Sequence, residues 1–195
     1  KTIKYLIQFL IITLFFIIFK ITGLKIASFI SNKIISFVGP IFRSKETIST
    51  NIQGAIPGIS RKELNKIIDN MWGNYGRILS EYMFIKSFRQ SDLSSNIQIQ
   101  GQEILDQIKN NNEPVIFVSG HFNNFELMAM HIEKSGIDLA AIYRPLNNKF
   151  LNFIMEKIRK KYICKKQIKK GIAGTKDLLS HFKKGTSIAL MIDQR

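Results

Sequence analysis

The chain has 195 residues, 45% of them hydrophobic, which is enough to bury the core of one domain of ordinary size. Its single cysteine, Cys164, excludes an internal disulfide framework and fits a reducing compartment. A formal net charge of +15 indicates acidic partners, such as nucleic acid, anionic lipid headgroups or an acidic carrier protein. Because the sequence ends at Arg195 directly after an apolar strand-like run, we expect it to be a fragment whose C-terminal part is missing.

Residues 1–38 are predicted to form an N-terminal membrane-anchoring region. The segment Tyr5–Phe19 carries no charge and is shorter than the ~20 residues that usually span a bilayer, but Ile21–Leu24 can extend it. A signal peptide and a buried helix of a soluble core are the alternatives, although no small-residue cleavage site follows the segment. We favour the anchor, with Ile26–Val38 lying along the interface. Basic residues after the segment outnumber those before it, which predicts that the rest of the chain is cytoplasmic.

Residues 39–92 are predicted to be helical. Ser60 followed by Glu63 is the sequence of a capping box, which marks the start of a helix. Apolar residues at helical spacing extend this helix to about Phe88. Gly76, inside it, would allow close packing against a neighbouring element.

Residues 93–195 alternate apolar strands with helices, which is typical of an α/β fold with a mostly parallel sheet flanked by helices. The predicted strands are Val115–Val118, Leu139–Tyr143 and Ser187–Ile192, preceded by a short alternating strand over Ile97–Ile99. Four helices are predicted. The first is Glu103–Asn110 and the last is Lys176–Lys184; of the two between them, one is capped by Asn123 or Asn124 and ends near Gly136, and the other is capped by Asn147 or Asn148. The segment Lys165–Lys170 is predicted to be a basic connection.

Polar, reactive residues follow the three main predicted strands. Gly120 and His121 follow the first strand, Arg144 follows the second, and Asp193 and Gln194 follow the third. Ligands of parallel α/β sheets bind at the carboxyl ends of the strands. His121 lies in a turn, so the chain can fold back and bring its imidazole to Glu126 in the next helix, which suits general-base catalysis. The alternative is that a loop histidine and a helix-start glutamate have this spacing by chance.

The same residues are similar to motifs of a known family. The sequence GHFNNFE over residues 120–126 has the pattern His-x4-acid, and YRPLNN follows over residues 143–148. Together with Arg159, the pair Asp193-Gln194 and MWGNYGR over residues 71–77, these motifs resemble those of bacterial lipid A late acyltransferases. The resemblance implies a glycerolipid-acyltransferase-like fold, with a catalytic domain over 93–195 and a membrane helix before it.

The resemblance also implies a reaction. His121 would deprotonate a hydroxyl of a lipid A precursor, with Glu126 as its orienting partner. The hydroxyl oxygen would attack the thioester of an acyl carrier protein directly, without an acyl-enzyme, a metal or a cofactor. Acyl-CoA is an alternative donor. The expected substrate-binding residues are Arg144 and Arg159, which would stabilise the oxyanion or hold a phosphate, and Asn123, Asp193 and Gln194.

Three further alternatives stay open. The basic stretch Lys157–Lys184 is either a docking surface for the carrier protein or a solvated face. The acceptor is either the lipid A precursor or another glycolipid or phospholipid, such as a phosphatidylinositol mannoside. A basic membrane-bound nucleic-acid-binding protein is the remaining class, but the sequence has no nucleic-acid-binding motif.

Overall fold

A computed structural model describes residues 2–90 and 93–193. The chain divides into two compact units. The first consists of the residues up to Ile12 together with those from Ile85 onward, and the second is Thr13–Phe84. The domain ranges expected from the sequence, 1–38, 39–92 and 93–195, stay a prediction.

The first helix, α1 (Thr2–Phe42), is 41 residues long, with a kink at Gly23, where φ is 78° and ψ is 165°. Its most apolar 18-residue window has a mean hydropathy of 2.2, and only 6% of that window is buried. In the described part of the chain it is the one helix with the length and composition to cross a membrane. The structure therefore confirms the long apolar N-terminal helix.

The second unit contains α2 (Lys45–Ala55) and α3 (Arg61–Glu81). The predicted capping box is confirmed, because the Ser60 side chain accepts from the Glu63 amide and the Glu63 carboxylate accepts from the Ser60 amide. The predicted extension to Phe88 is wrong, since α3 ends at Glu81 and a single 3₁₀ turn follows it. Gly76 packs as expected: a Cβ there would lie 2.3 Å from the Ser31 carbonyl oxygen.

Among the described residues, the first unit contains a parallel sheet of four strands, and the parallel arrangement is the one that the sequence indicated. These are β1 (Ile116–Ser119), β2 (Leu139–Tyr143), β3 (Lys166–Lys169) and β4 (Ser187–Met191), in the order β1-β4-β2-β3. Every neighbouring pair is parallel. The expected α/β fold class is confirmed.

Two predictions about the strands of this unit and their connections are wrong. Lys165–Lys170 is not a basic connection, because most of it forms β3, which pairs with β2. β3 lies at the edge of the sheet and buries only Ile168. Its lysines therefore leave no apolar run from which the strand could be predicted. The strand expected over Ile97–Ile99 does not form, and those residues follow a 3₁₀ turn at Ser94–Asn96.

Five helices complete the first unit: α4 (Ile85–Gln90), α5 (Gln102–Asn111), α6 (Glu126–Lys134), α7 (Lys149–Tyr162) and α8 (Ile172–Lys183). Asn148 caps α7 as predicted, accepting from the amides of Phe150 and Leu151. The prediction that Asn123 or Asn124 caps α6 is wrong, because the N-cap is Phe125 and no side chain caps this helix. The buried core between α8 and the sheet consists of Ala140, Ile168, Leu178 and Ile188.

Candidate active site

Three adjacent strands end at one edge of the sheet and place the candidate residues there. β4 lies between β1 and β2, so Asp193 lies between His121, which follows β1, and Arg144, which follows β2. The pairing of β1 with β4 continues past the ladder, because the Ile192 amide donates to the Ser119 carbonyl at 3.0 Å. This register brings Asp193 beside His121, although the two are 72 residues apart in sequence.

The carboxylate of Asp193 accepts from two groups of His121. Its Oδ2 accepts the backbone amide at 2.8 Å, and its Oδ1 pairs with ring Nδ1 at 2.7 Å. These hydrogen bonds, the backbone one first, lower the pKa of Asp193 and keep it ionised. The imidazole is 35% exposed, and with Nδ1 engaged by Asp193 its Nε2 is the nitrogen that can take a proton from a substrate.

The turn after β1 fixes the orientation of His121. The Phe122 amide donates to the Gly120 carbonyl at 2.8 Å, closing a tight turn around His121. Asn123 continues the turn with a positive φ of 47°, which asparagine tolerates better than most residues. The ring of Phe125 then meets the imidazole edge-on, with 4.8 Å between centroids. Asn123 is therefore a turn residue that lies exposed beside the candidate base.

Glu126 forms a second, buried ion pair. Arg159 on α7 donates Nε to Glu126 Oε1 at 2.8 Å, and its Nη2 bonds the same oxygen. The two side chains are only 15% and 9% exposed. The structure brings together two residues that the sequence singled out separately. The role of Glu126 as the orienting partner of His121 stays a prediction.

Tyr143 and Glu156 support Arg159, and the sequence pattern did not single out Glu156. The Tyr143 hydroxyl donates to Glu156 at 2.5 Å, and the Arg159 guanidinium lies 5.8 Å from the Tyr143 ring centroid. Burial, followed by the bond to Glu156, raises the pKa of Tyr143 to about 12. The i, i+4 spacing of Asn152 and Glu156 on α7 was the available signal, and Asn152 does donate to Glu156 at 2.7 Å.

Of the two remaining predicted site residues, Arg144 and Gln194, the structure describes only Arg144. Arg144 is exposed at the end of β2, on the same edge as His121 and Asp193. Gln194 lies outside the described residues.

A cavity of about 440 Å³ lies next to these elements, within the size range of small-molecule sites. It is bounded by β1, by α5 with the segment before it, and by α6, the helix that begins with Glu126. Among the described residues that line it there is no lysine, arginine or acidic residue, so its chemistry suits a hydrocarbon rather than a charged group. Its lining includes Phe117, Leu127, Met128, Ile104, Leu105 and His131.

Comparisons with known proteins place the chain in a family. The family model described as bacterial lipid A biosynthesis acyltransferase matches residues 1–195. The chain is 25% identical over 131 residues to lipid A biosynthesis acyltransferase 2 of Shigella flexneri, covering 67% of this chain and 42% of that protein. It is 22% identical over 119 residues to lipid A biosynthesis myristoyltransferase of Escherichia coli (strain K12), covering 61% of this chain and 37% of that protein. The chain thus matches about two fifths of the length of these curated relatives.

Proposed function

Because the chain belongs to the family of bacterial lipid A biosynthesis acyltransferases, we propose that the protein transfers a fatty acyl chain to a hydroxyl of a lipid A precursor. The donor we propose is an acyl carrier protein. The observation that carries this proposal is the exposed imidazole of His121, held through Nδ1 at the carboxyl edge of the parallel sheet. A base in this position can take the proton of a hydroxyl at Nε2 while the hydroxyl oxygen attacks a bound thioester.

In the proposed reaction, Nε2 of His121 takes the proton of the acceptor hydroxyl. The hydroxyl oxygen forms a bond to the thioester carbon, and the thioester carbonyl becomes an oxyanion. When the intermediate collapses, the carbon–sulfur bond breaks and the imidazolium returns its proton to the thiolate of the carrier. Arg144, exposed at the same edge, is placed to stabilise the oxyanion or a phosphate of either substrate.

We assign to Glu126 and Arg159 the support of this site. Their pair is buried at the start of α6 and on α7, so it fixes the helix that follows the His121 turn. Glu126 is the acid of the His-x4-acid pattern, and we propose that it serves the reaction through this support of the His121 turn. Because Arg159 donates two hydrogen bonds to it, a loss of either side chain should disturb the other.

The acyl chain is proposed to enter the apolar cavity between α5, β1 and α6. Leu127 and Met128 line it directly after Glu126, so the cavity begins on the helix that follows the His121 turn. A Leu127→Trp change should favour shorter donors, because the indole fills part of the cavity. Donor competition between acyl chains of increasing length measures this, and an unchanged preference would contradict the assignment.

The exposed lysines of the first unit are proposed to dock the acidic carrier protein. They carry positive charge on α7, β3 and α8, around the helix that presents Arg159. Raising the ionic strength should lower activity with the carrier-bound donor more than with acyl-CoA. Neutralising Lys157, Lys160 and Lys161 to Gln should remove that difference, while Lys45, Lys62 and Lys66 to Gln should not. The exposed lysines of this surface are Lys157, Lys160, Lys161, Lys165, Lys169, Lys170, Lys176, Lys183 and Lys184.

The apolar α1 is proposed to hold the protein at the bacterial inner membrane, with the sheet on the cytoplasmic side. Its length and hydropathy support membrane association. A lipid acceptor and a soluble carrier would then meet at the membrane surface. Protease accessibility of the first unit in sealed inverted vesicles tests the orientation: exposure to protease supports it, and protection contradicts it.

The central experiment is the transfer of a labelled acyl group from carrier protein to a lipid A precursor. The full-length protein in membranes should form the acylated product, and His121→Gln should lower the rate by at least ~100-fold, since general-base catalysis contributes that much or more. The control is His181→Gln, on α8 and outside the site. If a product formed only with a phosphatidylinositol mannoside, the acceptor would belong to the alternative class. Equal rates for His121→Gln and wild type would show that His121 is not the base.

A further inference from the structure

We infer that Asp193 is the residue that positions His121, a role that the sequence pattern gave to Glu126. This inference rests on the proposed function in that His121 is taken as the base. Asp193 touches no reacting atom itself. It fixes which ring nitrogen carries the proton and which one faces the substrate.

The hydrogen bonds of His121 carry the assignment. One carboxylate oxygen accepts the backbone amide of His121 and the other pairs with Nδ1, so Asp193 holds both the turn and the ring of the same residue. A carboxylate accepts and does not donate, which requires that Nδ1 carries the hydrogen. In the neutral imidazole, Nε2 is then the nitrogen without a hydrogen. This is the arrangement that a general base needs.

The end of β1 sets the position of Asp193 in two ways. The Ile192 amide bonds the Ser119 carbonyl and extends the pairing of β4 with β1 up to Asp193. Gly120 leaves room for the carboxylate, since a Cβ at that position would lie 3.3 Å from Asp193 Oδ2. Glycine between strand and histidine therefore allows the close approach of Asp193.

Glu126 is bound differently. Its carboxylate is buried and accepts two hydrogen bonds from the guanidinium of Arg159, whereas the Asp193 carboxylate is 40% exposed beside an exposed imidazole. The two acids therefore have different roles. Glu126 stabilises the start of α6 through Arg159, and Asp193 orients the base and stabilises the imidazolium that forms during proton transfer.

Asp193→Asn tests the inference. The asparagine amide can donate to Nδ1 and so favour the tautomer with the hydrogen on Nε2, which cannot act as a base. We expect kcat to fall by at least ~100-fold with KM changed less than about threefold, because orientation of the base matters in the chemical step. Asp193→Glu, which keeps the carboxylate, should recover part of the rate.

The matched control is Asp177→Asn on α8. Asp177 is also an exposed carboxylate paired with a histidine, its Oδ1 lying 3.7 Å from His181 Nε2, but it lies outside the site. The kcat of Asp177→Asn should equal that of wild type. Asp193→Asn within about threefold of this control would overturn the inference, since a general base contributes far more than that.

A second readout does not depend on activity. With the full-length protein in detergent, ¹⁵N-histidine NMR should show a protonated Nδ1 at His121 in wild type and in Asp193→Glu, and its loss in Asp193→Asn. An unchanged Nδ1 proton in Asp193→Asn would overturn the positioning role. If the wild-type protein transferred no acyl group to a lipid A precursor, the proposed function would fail. The tautomer measurement would still show whether Asp193 positions the His121 ring. If Asp193→Asn did not fold, Asp193→Glu would provide the test. An unprotonated Nδ1 of His121 in Asp193→Glu would overturn the inference, and a protonated Nδ1 together with partial activity would support it.

Discussion

The two ion pairs at the candidate site differ mainly in their contact with solvent. The pair of His121 with Asp193 is exposed at 35% and 40%, and the pair of Arg159 with Glu126 is exposed at 15% and 9%. An exposed pair contributes little to folding, because water screens it and competes for both partners. A buried pair is costly to break, since the remaining charge stays in a medium of low polarity. We therefore expect the first pair to serve the chemistry and the second to support the structure.

The buried pair offers the largest expected effect. Arg159→Met should lower the free energy of unfolding by about 3–5 kcal/mol, because it leaves the Glu126 carboxylate buried without its guanidinium. Urea denaturation measures the change.

Replacing both partners of the buried pair is the control for that loss. Glu126→Leu together with Arg159→Met removes both charges, so its stability should return close to the wild-type value. A single Arg159→Met variant within about 1 kcal/mol of wild type would contradict the structural role, since exposed pairs reach only that magnitude.

The exposed pair should show the opposite behaviour. Asp193→Asn is expected to lose activity while its urea midpoint changes no more than that of the Asp177→Asn control, because both acids are solvent-exposed. Parallel measurements of kcat and urea midpoint check this. A large loss of stability without a specific loss of kcat would make Asp193 a structural residue like Glu126.

A smaller effect is expected at Gly120. A Cβ there would lie 3.0 Å from a ring carbon of Phe122 and 3.3 Å from Asp193 Oδ2, so the carboxylate must shift by a few tenths of an ångström. Gly120→Ala should lower kcat by roughly two- to tenfold, less than a full misplacement of a catalytic group costs. Gly185→Ala, where a Cβ would meet nothing within 4 Å, is a useful comparison, although its own positive φ favours glycine. A Gly120→Ala enzyme with the wild-type kcat would show that the approach of Asp193 needs no such room.

The smallest effect is the acid titration of the exposed pair. Because the pKa of Asp193 is lowered in the folded state, its hydrogen bonds to His121 are present at neutral pH and are lost as pH falls through the folded pKa, below the unfolded value. The amide proton of His121 should report this loss in an NMR titration. Asp193→Asn should abolish the step. A step that persisted in that variant would belong to another acid.

Local sequence determined much of the framework. The apolar runs specified β1, β2 and β4, because strands of a parallel sheet read as nearly continuous apolar segments, although Ile116 and Val118 of β1 lie exposed. Ser60 and Asn148 marked two helix starts, since their side chains satisfy amides of the first turn without help from the rest of the fold. The position of His121, Arg144 and Asp193 after successive strands also followed from the sequence, and with it the edge where the site lies.

Only the tertiary structure decided which of these residues meet. β3 was hidden because an edge strand can keep its lysines in water and bury one isoleucine. The insertion of β4 between β1 and β2 brought Asp193 to His121 across 72 residues, and the packing of α7 brought Arg159 to Glu126 across 33. A hydrophobic pattern fixes strands and helices one at a time. Strand order and helix packing are set by the burial of all of them together, and in this protein they decide which carboxylate lies beside the histidine.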